Sequence, residues 1–146
     1  MNIQPVSENQ FQLIIDLLIR NNLPVSDISS ETRLFALMEE NELIGSIGLE
    51  VSQKNALLRS LCVDEKHRNK GAAVKLVKFL EEFAKQEDIE NIYLLTITAE
   101  QFFFNRNYVP VDRNSVPFSI QQTSEFKSVC PASATIMIKS LFAEQV

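Results

Sequence analysis

Histidine occurs once in this chain and cysteine twice, and that shortage removes whole classes of chemistry. His67 with Cys62 and Cys130 cannot assemble an ordinary zinc cluster, so no metal is expected. The two cysteines lie far apart in sequence, a usage that fits a reducing compartment better than a disulfide framework. Cations are scarce as well: 14 Lys and Arg stand against 19 Asp and Glu, a net charge of −5. Phosphate backbones of nucleic acids are bound by clustered Lys and Arg, so general nucleic-acid binding is not expected. Long apolar runs are missing too. The longest, Leu13 to Ile19, is broken by Asp16, and no cationic start with a small-residue cleavage site precedes it. Neither a membrane span nor a signal peptide is expected, and a soluble cytoplasmic protein is.

What is present suffices for one domain over residues 1–146. At 45% apolar content, a chain of this length can build a sheet covered by helices, and no linker or repeat interrupts it. Asn2 to Pro5 reads as a strand. Ser7 with Gln10 forms a capping-box pattern, and Phe11, Ile14, Ile15 and Leu18 recur at helical spacing, which predicts a first helix to about Asn21. Residues 23–30 are a Pro, Ser and Asp loop, by composition a solvated connection. Leu34 to Met38 and Leu43 to Val51, separated by Glu40-Asn41, predict a hairpin. Gly45 and Gly48 in its second arm imply a bulge or a close backbone approach. Ala56 to Val63 is the next strand.

From Ala73 the apolar positions Leu76, Val77, Leu80, Phe83 and Ala84 form a stripe, with Lys75, Lys78, Glu81, Glu82 and Lys85 opposite. This helix packs one side on a sheet. Ile89 to Ile97 is a buried-strand pattern, close enough behind the helix for a crossover to a parallel neighbour. Thr98 to Gln101 is a second capping-box pattern opening a short helix, which Asn107 ends in the left-handed conformation. Tyr108 to Val111 is a strand that Pro110 keeps from the centre of a sheet. Phe118 to Phe126 reads as a helical excursion and Ala134 to Leu141 as a last strand.

The few cations cluster at Lys66, Arg68 and Lys70, where the strand ending at Val63 gives way to the helix. Gly71 and two alanines follow. Such a junction offers unpaired N–H groups and the positive end of a helix dipole, a site for one small polyanion.

In order, Arg68-x-x-Gly71-x-Ala73 matches the Arg/Gln-x-x-Gly-x-Gly/Ala signature of the Gcn5-related N-acetyltransferases (GNAT). Ala99-x-x-Phe102-Phe103-x-x-x-Asn107-Tyr108 resembles a second motif of that family, and Thr96 stands where the family commonly has Asn. The chain therefore resembles a GNAT acetyltransferase. The resemblance implies an α/β fold with a mixed, mostly antiparallel sheet of six to seven strands flanked by helices, and a splayed strand pair that holds acetyl-coenzyme A. It implies that the diphosphate lies on Arg68, Asn69, Lys70, Gly71, Ala72 and Ala73, and that the pantetheine arm bonds along Leu61, Cys62 and Val63, near Thr96 and Phe103. By the same resemblance, residues 23–30 are a lid over the acceptor site.

The family's tyrosine, proposed to protonate the departing thiolate, is Phe103 here. Water or a nearby hydroxyl, Tyr108, Tyr93 or Thr96, is left for that role. By resemblance the N–H near Val63 is the donor to the developing oxyanion. Glu50 is the best-placed base, against a plain exposed strand position. Arg59, a charge within an apolar strand, either binds an acidic group of the acceptor or pairs with Glu50. Cys62 reads as packing and His67 as solvated loop.

Three segments, Leu57 to Leu61, Leu94 to Ala99 and Cys130 to Ala134, resemble the arsenic-resistance branch of the superfamily. That implies a small-molecule amine acceptor, amino-acid-like or an organoarsenical, and a monomer or homodimer. A coenzyme-A-binding module without turnover and a protein or peptide N-acetyltransferase are the alternatives.

Overall fold

The structure, a computed structural model, describes residues 2–123, 126 and 134–142. Its elements run β1 (Asn2–Pro5), α1 (Glu8–Arg20), β2 (Thr32–Glu39), β3 (Glu42–Ser52), β4 (Asn55–Val63), α2 (Ala72–Gln86), β5 (Asn91–Thr96), α3 (Glu100–Phe104), β6 (Val109–Pro110), α4 (Phe118–Gln121) and β7 (Thr135–Ser140). The strands make one seven-stranded mixed sheet in the order β1-β2-β3-β4-β5-β7-β6.

Strand alternation divides the core into layers. On β2, Phe35 and Leu37 face α2 and join its Leu76, Leu80 and Ala84, while Leu34 and Ala36 face α1 and join Ile14, Leu17 and Leu18. Val116 and Ile120, before and within α4, cover Leu57, Tyr93 and Ile136. In α1, Ser7 N–H donates to Gln10 Oε1 at 3.0 Å, the capping arrangement its sequence predicts. The buried stripe is Ile14, Leu17 and Leu18, however, and Phe11 remains 42% exposed. The β2–β3 turn has positive φ at both Glu40 (49°) and Asn41 (67°), the twist that matches a two-residue hairpin.

Among the described residues β4 and β5 are the parallel pair, and every other pairing is antiparallel. They pair only at Asn55–Asn91, Ala56–Ile92 and Leu57–Tyr93. Beyond Leu57 they separate, as the splayed pair was expected to do. The physical cause is a bulge in β4 opposite Ser46 to Gly48, where β4 carries one extra residue. Ser60 takes the left-handed conformation there (φ 57°), and Ser46 Oγ donates to its carbonyl at 2.9 Å. Gly45 is required beside it: a Cβ at that position would lie 2.6 Å from the Cys62 carbonyl oxygen.

One expectation changes at the start of α3. The cap is not Thr98: Thr96 Oγ1 accepts the Ala99 N–H at 2.9 Å, so the turn is capped two residues earlier and the helix starts at Glu100. Asn107 does adopt φ 74°, and β6 with Pro110 does lie at the sheet edge. The 118–126 excursion is helical at Phe118–Gln121, and Ser124 and Glu125 lie outside the described residues. So do residues 130–133 of the Cys130 to Ala134 segment.

Candidate active site

The strand-to-helix junction is shaped by two left-handed residues, Asn69 (φ 65°) and Gly71 (φ 81°). Gly71 caps α2, and the first helical bond is Lys75 N–H to the Gly71 carbonyl at 3.1 Å. The N–H groups of Ala72, Ala73 and Val74 therefore have no acceptor within the helix. A Cβ built on Gly71 meets nothing within 4 Å, so the space in front of these donors is open. A cleft of about 490 Å³ opens there, walled by Leu61, Cys62, Val63, Arg68, Asn69, Gly71, Ala72, Ala73 and Phe102 among others. Lys70, between Asn69 and Gly71, is exposed.

A second cleft of about 440 Å³ occupies the gap between β4 and β5. Arg59, Ser60, Leu61, Thr96 and Phe103 line it, and Leu23 and Pro24 wall it from the 23–30 loop. Leu61, Asn21 and Leu23 border both clefts, so the two meet at Leu61. Asp64 N–H donates to the Ile44 carbonyl at 2.7 Å. Because antiparallel bonding alternates residue by residue, the amide groups of Val63 then point to the other edge of β4, into the gap that β5 has vacated. The Val63 carbonyl is held by Arg68, whose Nε donates to it at 3.1 Å while its Nη2 donates to Asn21 Oδ1. Asn21, the C-terminal cap of α1, is itself tied by Nδ2 to the Leu17 carbonyl.

Arg59 is buried, 2% exposed, and its charge is met from within. Nη1 lies 2.7 Å from Asp27 Oδ2 and 2.7 Å from Glu50 Oε2, Nη2 lies 3.0 Å from Asp27 Oδ1, and Nε donates to Ser60 Oγ at 3.1 Å. Of the two uses the sequence left open for Arg59, the structure contains the pairing with Glu50. Glu50 is correspondingly buried rather than exposed, borders neither cleft, and also accepts from Thr32 Oγ1 at 3.5 Å. A carboxylate held by a guanidinium behind the cleft wall is poorly placed to take a proton from an amine in the cleft.

Tyr108 is not brought to either cleft. Its ring is fully buried, and its hydroxyl donates to Glu81 Oε2 on α2 at 2.9 Å, where Lys139 of β7 also bonds. Burial first, and then the Glu81 carboxylate, pushes this phenol well above its ordinary value. A hydroxyl so placed ties α2 to the sheet instead of serving as an acid. Tyr108→Phe is therefore expected to leave turnover unchanged and to cost about 1–3 kcal/mol of stability. A phenol raised on folding stabilises below the unfolded tyrosine value of about 10, and that contribution is lost as the pH rises further. Wild-type stability should accordingly fall above pH ~10 more steeply than that of Tyr108→Phe, which urea titrations across alkaline pH would read.

Cys62 is buried against α1, and desolvation raises its thiol, consistent with packing. His67 is not solvated loop: it lies in a 3₁₀ turn with Nε2 3.1 Å from Glu42 Oε1 and a side chain 17% exposed. Asp27 and Ser60 were not singled out from sequence. A buried Arg in an apolar strand signals a missing carboxylate, which points to an acid such as Asp27. The bulge at Ser60 has no sequence signature, since serine is an ordinary strand residue.

No curated protein sequence matches the chain. Among solved structures it resembles an acetyltransferase of the GNAT family from Staphylococcus aureus Mu50 (19% identity, TM-score 0.76, 96% of this chain and 98% of that one). It also resembles the N-acetylglutamate synthase from Neisseria gonorrhoeae complexed with coenzyme A and N-acetyl-glutamate (14%, 0.79, 96% and 35%). A third is the ribosomal-protein-S18-alanine N-acetyltransferase from Escherichia coli (13%, 0.74, 96% and 93%). Among the described residues no helix is long and apolar enough to cross a membrane, and no group of three His, Cys, Asp or Glu stands ready for a metal. The model of the acetyltransferase (GNAT) family matches residues 8–106, more than half the chain, and to that family the chain belongs.

Proposed function

We propose that this protein transfers an acetyl group from acetyl-coenzyme A to the amine of a small molecule. The observation that carries the reading is the continuity of the two clefts at Leu61, from open helix N–H donors at one end to the gap between β4 and β5 at the other. The N–H groups of Ala72, Ala73 and Val74, with Arg68 and Lys70, suit a diphosphate, and the vacated edge of β4 at Leu61 and Val63 suits the two amides of a pantetheine arm. Gly71 keeps the approach open. When bound, acetyl-coenzyme A supplies an activated acyl group. Thr96 and Phe103 wall the gap, whose apolar side chains include Leu58, Leu61, Leu94 and Leu95. Val63 lies on the cradle side of the junction between the clefts, so its N–H is assigned to holding the arm.

Asp27, pinned to buried Arg59, ties the 23–30 loop to β4, and the wall that Leu23 and Pro24 of that loop make narrows the groove that a peptide would need. This favours a small acceptor over a protein one, although the solved structures of similar fold include both an N-acetylglutamate synthase and a ribosomal-protein-S18-alanine N-acetyltransferase. The likeness to the arsenic-resistance branch makes an amino-acid-like organoarsenical one member of the acceptor class. A cytoplasmic location and a monomeric or dimeric state belong to the same proposal.

The test is release of free coenzyme A when purified protein meets acetyl-coenzyme A and a panel of small amines, amino acids, an arsenical amine and peptides. Release with small amines is expected. Binding of acetyl-coenzyme A without release across the panel would overturn turnover, and release with peptides alone would overturn the acceptor class.

A further inference from the structure

Ser60 combines four properties that a scaffold residue does not need. It adopts φ 57°, a conformation that costs a residue with a Cβ and that concentrates at functional sites. It is a buried polar side chain, 7% exposed, at the wall of the second cleft. Its Oγ accepts a charge-assisted hydrogen bond from Arg59 Nε at 3.1 Å, so its own proton points elsewhere, and no acceptor for it stands among the described residues. The bulge that holds it is fixed from the far side by Ser46 Oγ on its carbonyl. The Asp27 and Glu50 carboxylates fix Arg59 in turn. The result is a preorganised, cation-polarised hydroxyl with a free proton.

Its place in the fold says what it meets. The first cleft ends at Leu61 and the second begins there, with Ser60 the next residue along β4. A ligand anchored by its diphosphate at Gly71 and held along Val63 and Leu61 brings its far end, the thioester, to Ser60.

We propose that the Ser60 hydroxyl is a catalytic hydrogen-bond donor to the thioester oxygen of acetyl-coenzyme A. As the amine nitrogen bonds to the carbonyl carbon, negative charge collects on that oxygen, where the hydroxyl donates. The carbon–sulfur bond then breaks, its electron pair leaves on sulfur, and the proton lost by the amine balances the thiolate. Ser60 keeps its own proton throughout. The inference rests on the acetyltransferase reading above.

Ser60→Gly is the decisive variant, because glycine relieves the positive φ and so offsets the bond that Arg59 Nε loses. With acetyl-coenzyme A carrying a carbon-13 carbonyl, the bound carbonyl stretch should lie at lower frequency in the wild type than in Ser60→Gly, since a hydrogen bond weakens the C=O bond. In turnover the variant should lose about a hundredfold in kcat with little change in KM for acetyl-coenzyme A, the size seen when one oxyanion donor is removed. Its melting temperature should stay near that of the wild type, because relief of the positive φ offsets the hydrogen bond that Arg59 Nε loses. Equal carbonyl frequencies in two proteins that both bind acetyl-coenzyme A would overturn the role of Ser60 and leave the acetyltransferase reading standing. Failure of the wild type to bind acetyl-coenzyme A would overturn both.

Discussion

Arg59→Ala should remove about 3–5 kcal/mol of stability, because it leaves the Asp27 and Glu50 carboxylates in the interior without their shared cation. That is a large share of the roughly 5–15 kcal/mol that holds a domain of this kind together. The Arg59 guanidinium is wholly enclosed, with Asp27 2% and Glu50 8% exposed at their side chains, so water cannot take its place cheaply. Urea unfolding would show it as a lower midpoint with an unchanged slope. The companion Asp27→Asn separates charge from packing: it keeps the shape, weakens the hold on residues 23–30, and should raise KM for the acceptor more than KM for acetyl-coenzyme A. An Arg59→Ala protein as stable as the wild type would mean that the cluster contributes nothing net to the fold.

Gly71→Glu should weaken acetyl-coenzyme A binding at least a hundredfold, about 2.7 kcal/mol or more. The new side chain would enter the open space before the first turn of α2 and set a carboxylate where a diphosphate is proposed to lie. The fold should survive. A residue with a Cβ at φ 81° costs about 1 kcal/mol, well within the margin, and nothing within 4 Å is there to clash. Calorimetric titration with acetyl-coenzyme A reads the affinity, and circular dichroism reads the fold. Unchanged affinity in a folded Gly71→Glu protein would remove the diphosphate from this junction.

The pattern of strands and helices was legible because each element is locally consistent. The stripe from Leu76 to Ala84 sets α2, the box at Ser7 sets the start of α1, and Pro110 and Asn107 punctuate β6 and α3 as their backbone limits require. Three glycines in 146 residues are few enough that each carried information. Gly45 marked the close approach of β4, and Gly71 marked the left-handed turn that opens α2. Arg68 was legible for the same reason, as one of few cations at a helix start.

The acceptor side was harder to read, because its chemistry depends on contacts between distant segments. Arg59 was a conspicuous charge, yet whether it met an acceptor or an internal acid turned on Asp27, 32 residues away. Glu50 faced the same ambiguity and resolved with it. Tyr108 looked like a spare hydroxyl near Phe103 in sequence; the αL turn at Asn107 sends it into the core against Glu81 and Lys139 instead. Ser60 was illegible, since a bulge in β4 is created by register against β3 and by no residue of its own.

The separation of β4 from β5 also exposes the protein to a hazard. An unpaired strand edge is a template on which any extended chain can add itself, the first step toward aggregation. Here that edge lies inside the sheet, recessed between two strands. Arg68 sits on the Val63 carbonyl and braces itself on Asn21, so the template is partly occupied by the protein's own side chain. A cation at that point is a gatekeeper: it holds the Val63 carbonyl that a passing peptide strand would need.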